Sequence, residues 1–251
     1  MRPILLFVLL AVSPNLFAQH GWEDERSNEG EVLLLNFQFG FHAPGGDLAG
    51  RFGGNSSVGG GLDFMTQKNL LLGFQANLHF GNKVDEDVLT TLRNNEGLIF
   101  GDESGIANVQ LRERGLYLGG HAGKIFRLSK NSRSGIRVTS GIGFFQHKIR
   151  IQNDPVVFVS QLSSNYKKGY DRLTNGVAFT EFIGYHILSK NRLVNFVAGF
   201  EFTQAFTASR RSFNFDTRTK EKGSRLDLLT GIRIGWSLPF YIGENPDEIQ
   251  Y

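Results

Sequence analysis

From residue 226 to residue 241 the chain keeps a period of two. Leu226, Leu228, Ile232, Ile234, Trp236, Leu238 and Phe240 occupy one phase, and Asp227, Gly231, Arg233, Gly235 and Ser237 the other. That period puts the two sets on opposite faces of a β-strand. The run is far longer than the common strand of about five or six residues. The run ends on an aromatic pair, Phe240 and Tyr241, placed where a strand crossing a bilayer meets the interface. The segment reads as the closing strand of a transmembrane barrel.

The chain opens with Arg2, an apolar run over residues 4–12, Ser13, Pro14 and then Phe17-Ala18-Gln19. This is the pattern of a secretory signal over residues 1–19, cut near Ala18 or Gln19. The apolar run is too short for a spanning helix, which needs about 20 residues. A polar periplasmic lead (20–30), a transmembrane barrel (31–241) and a periplasmic tail (242–251) follow as the expected organisation. There is no cysteine, so neither a disulfide nor a thiol acceptor for a lipid anchor exists. No later segment is apolar for 18 consecutive residues. Yet 23 phenylalanines and 31 glycines coexist with a mean hydropathy of only -0.20. A barrel with an apolar outer phase and a small or polar inner phase accommodates both. The net charge of +3 is modest and its basic residues fall in loops, which gives no reason to expect a nucleic-acid partner.

Seven more alternating runs precede the closing one, over residues 33–42, 58–66, 70–80, 115–126, 136–149, 175–188 and 193–206. The fourth has a possible extension at 109–111, and the fifth blurs beyond Phe145. In the first, Leu33, Leu35, Phe37, Phe39 and Phe41 oppose Asn36, Gln38, Gly40 and His42. Pro44-Gly45-Gly46-Asp47 signals a turn after it. Connections alternate long and short, with long stretches at 81–112, 152–172 and 207–224. Outer-membrane barrels show this rhythm, with short periplasmic turns and longer outside loops. The expectation is an all-β, eight-stranded, antiparallel, up-and-down transmembrane barrel.

The polarity of the two phases decides which solvent lies outside. A soluble barrel of the lipocalin type keeps its apolar phase inside. Eight strands enclose just enough room for side chains, so Phe37, Phe39 and Phe41 on successive positions of one phase must point outward. Arg233 toward lipid at mid-height would cost about 2 to 4 kcal/mol, whereas inward it can meet an acid. Closure also pairs every backbone group, as a membrane requires.

Several strings resemble an outer-membrane β-barrel family of the Bacteroidota. They are Ala43-Pro44-Gly45-Gly46-Asp47-Leu48 with Arg51-Phe52-Gly53, then Lys167-Lys168-Gly169-Tyr170-Asp171-Arg172-Leu173-Thr174-Asn175-Gly176, and Ser209-Arg210-Arg211-Ser212-Phe213-Asn214-Phe215-Asp216. The likeness runs from about residue 31 to residue 241 and is more specific in the loops than in the strands. In size and strand number the chain also resembles the transmembrane part of OmpA-like and OmpX-like proteins, without the periplasmic peptidoglycan-binding domain of the former. The resemblance implies a fold and a compartment, the cell outer membrane. It also makes outer-membrane protein assembly, or the type 9 secretion and gliding apparatus, natural settings.

Glu181, Glu201 and Arg233 fall at similar heights on the last three strands, and a short turn at 190–192 would set Glu181 opposite Glu201. Two facing carboxylates need a cation or a shared proton between them. With Asp227 and Arg137 they are expected to form an interior polar network with a structural role. The histidines show no metal-ligand spacing, and no cofactor is expected. His147 with Ser160 or Ser163 offers the raw material of a lipid-ester hydrolase at the rim, though their spacing does not favour a triad. Lys167, Lys168, Arg172, Arg210, Arg211, Arg218, Lys220 and Lys222 are expected to gather outside, where they can meet lipopolysaccharide phosphates or an acidic protein surface. Small outward residues, Gly60, Gly120 and Ala122, would let a membrane partner approach closely. The reading is a non-enzymatic accessory or structural subunit of a larger envelope complex, in contact with outer-membrane lipids and lipopolysaccharide. A rim enzyme acting on lipid A or phospholipid is the alternative, and a passive pore comes third.

Overall fold

The computed structural model describes residues 30–103, 105–129, 132–153, 156–189 and 194–242. The expected signal segment, all of the lead but Gly30, the tail beyond Ile242 and the 190–192 turn lie outside them. Eight strands form the wall: β1 (Glu31–Gly46), β2 (Asn55–Met65), β3 (Leu70–Gly81), β6 (Val109–Arg127), β7 (Gly135–Asn153), β8 (Thr174–Leu188), β9 (Asn195–Ser209) and β10 (Ser224–Ile242). A small pair, β4 (Ile99–Phe100) and β5 (Ile106–Ala107), lies in the connection between β3 and β6. Each wall strand pairs antiparallel with its neighbours in the chain, and β10 closes on β1 from Glu31↔Ile242 to Gly46↔Asp227. Following directly paired residues around the ring from Asn36 returns to β1 at Gly46, ten residues further along. This stagger tilts the strands, as closure of eight strands requires.

The outward phase is mainly apolar on every wall strand, with Lys124 on β6 and Glu181 on β8 as exposed charges within it. Leu72, Phe74, Leu78, Ile142, Val177, Ile183, Phe200, Phe206, Ile232 and Phe240 are among the exposed large side chains, and Phe37 stacks on Trp236 with ring centroids 6.0 Å apart. On β6 this belt runs from Leu116 to Phe126, about 34 Å along the strand and about 25 Å across a bilayer at a tilt of roughly 40–45°. That is the height of an outer-membrane belt.

β6 and β7 extend past the bounds that their alternation suggests, beginning at Val109 and ending at Asn153. The reason is an inversion of phase. Above the belt, Gln146, Lys148 and Arg150 face out while Phe145, His147, Ile149 and Ile151 face in. Once a strand leaves lipid its outer face meets water, and its inner face packs on the loops. β1 likewise continues as strand through Pro44 and Gly45 to Gly46, where φ is +57° and the chain turns away.

Those loops form a cap. Leu48, Phe52, Val88, Leu89, Ile99, Val159, Leu162 and Tyr170 bury themselves over Tyr117, Phe145 and Ile149 at the outer mouth. A second apolar cluster of Val32, Leu34, Met65, Leu71, Ile125 and Leu188 fills the opposite end. Arg133 ties that floor together, donating to Asn69 Oδ1 (2.9 Å), the Gly30 carbonyl (2.9 Å) and the Thr66 carbonyl (2.8 Å).

Candidate functional site

Between cap and floor the interior is polar, and it is arranged in three tiers. In the middle, Arg233 donates to Glu201 Oε2 (2.5 Å) and Gln75 Oε1 (3.0 Å), and its guanidinium lies 3.9 Å from the centre of the Phe182 ring. The other oxygen of Glu201 is 3.3 Å from His42 Nε2, and the His42 and His79 rings stand 5.3 Å apart. Toward the floor, Asp63 receives Arg137 Nη2 at 2.7 Å and Asn36 Nδ2 at 3.0 Å, with His121 Nε2 2.7 Å from its other oxygen. The Ser237 hydroxyl donates to Asn36 Oδ1 (2.6 Å) and approaches His186 Nε2 (3.4 Å). Toward the cap, Asp227 meets His147 Nε2 (3.0 Å) and the Thr207 hydroxyl (2.5 Å), while Asn55 donates to Glu113 (3.0 Å).

The structure brings Arg233 to Glu201, but it distributes Arg137 and Asp227 to other tiers. Glu181 is a correction. It stands outside the barrel, exposed, opposite Ser140 on β7 and Phe202 on β9. Glu201 lies across from Phe182, not from Glu181, so the β8–β9 register differs by one residue from the expected facing pair. A one-residue difference moves a side chain to the other face of a strand. Phe182 takes the inward place and stacks under Arg233. Asp63, Gln75, His42, His121, His147 and His186 complete the interior. Asp63, Gln75, His42 and His121 occupy the polar phase of their strands, which is the signal that marks them, whereas His147 lies among Phe145, Ile149 and Ile151 and His186 on a strand apolar on both phases, so alternation does not mark those two.

Of the residues weighed for rim hydrolysis, His147 with Ser160 or Ser163, the histidine and Ser160 are engaged separately. His147 is fully buried against Asp227, whereas the Ser160 hydroxyl donates to Asp102 on an exposed loop. Among the described residues no three His, Asp or Glu side chains converge to hold a metal ion. The outer basic residues do not gather into one patch either. Arg172 is buried and bridges Glu86 (2.6 Å) and Asp216, and Arg211 binds Asp171. Arg51 joins the same rim through Glu86 (2.7 Å) and Glu221 (3.1 Å). Burial alone would raise the Glu86 carboxyl, but the Arg51 charge and hydrogen bonds from Arg172 and Arg51 outweigh it and hold Glu86 below the ordinary carboxylate range.

On the outside, Gly120 and Ala122 on β6 border Ile142 and Ser140 on β7, and Ser140 borders Glu181 on β8. Gly60 lies apart from them, since β3 runs between β2 and β6. A Cβ at Gly60 would meet the Asn36 carbonyl at 2.6 Å, so contact within the barrel accounts for that glycine. At Gly120 the nearest atom would be 3.6 Å away, and nothing in the barrel wall requires a glycine there.

A closed antiparallel wall of eight strands, a lipid-facing belt and a polar interior define an outer-membrane β-barrel, and the protein resides in the outer membrane. No protein-family model matches the chain, and no curated protein matches it by sequence. Solved structures similar to it include Neisserial surface protein A, at 9% identity and a TM-score of 0.45 over 84% of this chain and 100% of that one. The attachment invasion locus protein Ail of Yersinia pestis, bound to a heparin analogue, gives 10% and 0.37 over 83% and 99%. OprG of Pseudomonas aeruginosa gives 12% and 0.36 over 85% and 97%.

Proposed function

We propose that the protein is a non-enzymatic subunit of a larger outer-membrane assembly, docking sideways in the bilayer through β6, β7 and β8. Glu181 carries this reading. It sits seven residues from each end of β8, with Val177 and Phe179 on one side and Ile183, Tyr185 and Ile187 on the other along the same outward face. Among the described residues it has no hydrogen bond or ion pair. A carboxylate facing lipid at mid-belt destabilises the barrel, though by less than the 2 to 4 kcal/mol of a basic residue. Charged groups at this depth mark functional positions with a partner. Ser140 beside it and Gly120 and Ala122 beyond supply a small, polar strip on which another barrel or helix can approach. The partner chemistry this implies is a cationic or hydrogen-bond-donating side chain at the same depth. The filled interior, closed by apolar clusters at both ends, speaks against a pore. The loop resemblance to a Bacteroidota barrel family supports protein assembly or type 9 secretion and gliding as the setting.

The test is co-purification of the tagged protein from gently solubilised membranes. Glu181→Leu and Gly120→Trp should each lower recovery of the partner, and Glu181→Leu should also make the isolated barrel more heat-resistant. Unchanged recovery in both variants would refute lateral docking. So would altered lipid A acylation in a deletion strain that yields no protein partner, which would favour the rim-enzyme alternative.

A further inference from the structure

Just above the belt, β6 and β7 present four cations in two directly opposed pairs. Arg112 lies across from Arg150, and Arg114 across from Lys148. All four take the outward phase, while Glu113, His147 and Ile149 between them face in. Opposed side chains on paired strands have Cβ atoms about 4.5–5.5 Å apart, and like charges so placed repel. Five other arginines on the outer part of this molecule find acids, Arg51, Arg93, Arg172, Arg211 and Arg225 each lying within 4 Å of a carboxylate, whereas Arg210 binds the Asn175 side chain and carbonyl. These four have no acidic partner among the described residues. Arg112 donates only to Gln110 (2.8 Å) and Arg114 only to the neighbouring Glu113 carbonyl (2.6 Å). Lys167 approaches from the loop after β7, held by Asn153 (2.5 Å); burial and the Arg150 charge keep it below the ordinary lysine range.

We infer that Arg112, Arg114, Lys148 and Arg150 form a binding site for the phosphate groups of outer-leaflet lipopolysaccharide. Position selects this ligand over a soluble anion. The next outward residues toward the membrane are Leu116 and Leu118 on β6 and, past Gln146, Phe144 and Ile142 on β7, a continuous apolar track for acyl chains. A phosphate at the top of that track meets two strands' worth of guanidinium and ammonium donors, and arginine binds phosphate through two parallel hydrogen bonds. The anion also relieves the repulsion between opposed cations. The site lies above Glu181 and stands independently of lateral docking.

The purified full chain, refolded in detergent, is titrated with bisphosphorylated lipid A and with lipid A stripped of phosphate. The parent should prefer the phosphorylated form by at least about tenfold. Lys148→Gln with Arg150→Gln should weaken binding by at least about tenfold, with a folded gel mobility and a lipid-free melting temperature equal to or above the parent's. Lys148→Arg should bind like the parent, as should Lys220→Gln with Lys222→Gln on an exposed loop. Equal affinity for both forms of lipid A would overturn the inference. Parent-like binding by the doubly neutralised variant, or tighter binding of an acidic peptide than of lipid A, would do the same.

Discussion

Replacing Arg233 by leucine separates a structural role for the middle tier from a chemical one. The residue is 5% exposed, and its side chain makes three contacts at once: the ion pair to Glu201, the hydrogen bond to Gln75 and the stack on Phe182. Removing it leaves Glu201 with His42 alone, at 3.3 Å. Breaking a buried pair from one side costs about 3 to 5 kcal/mol, because the remaining charge stays buried without its partner. For a barrel of this size that corresponds to a fall in melting temperature of about 6 to 20 °C. The measurement is the fraction of detergent-solubilised protein that keeps its folded gel mobility after heating. Arg233→Leu combined with Glu201→Gln removes both charges and should recover at least half of the loss. A single variant that melts within about 2 °C of the parent would refute the reasoning. So would a double variant no more stable than the single, since the cost would then not be the stranded carboxylate.

Two further outcomes follow from the wall and from the rim. Unboiled protein in mild detergent should migrate differently from boiled protein, because a closed wall keeps its strands paired; equal migration, with the protein recovered in a soluble fraction, would contradict the barrel. Glu86 has its folded pKa held below its ordinary 4.5, so its contribution to the cap is complete above that pH and lost as pH falls through the lower folded value. Hydrogen-exchange protection in the 82–108 loop, corrected for the intrinsic pH dependence of exchange, should therefore fall on acidification below about pH 4.5, and Glu86→Gln should flatten that fall. Equal protection at about pH 3 and pH 7 would show that the rim pairs do not hold the cap.

Much of the wall is legible in residue order because the bilayer imposes one rule on every strand. Phe37, Phe74, Val177 and Ile232 point outward for the same reason, and alternation alone identifies the phase. The rule lapses where the solvent changes. Phe145, Ile149 and Ile151 turn inward above the belt, so the alternation loses its apolar outer phase while the strand continues. The interior ion pairs were legible in kind and only partly in partner. Asp227, Arg137, Glu201 and Arg233 all read as inward, but which acid meets which base depends on register around a tilted ring.

Residue order by itself determined that this chain builds an eight-stranded wall with lipid outside, because hydrophobic phase is a local property repeated on each strand. Only the tertiary structure decided the fate of Glu181. Its strand has apolar residues on both phases, and a single step of pairing, Phe182 and not Glu181 across from Glu201, sends the carboxylate into the membrane. The opposed cations of β6 and β7 are likewise separated by more than thirty residues of sequence and meet only through cross-strand register. Pairing is a long-range choice that local pattern cannot express, and on this molecule it creates the outward features that its proposed partners would meet.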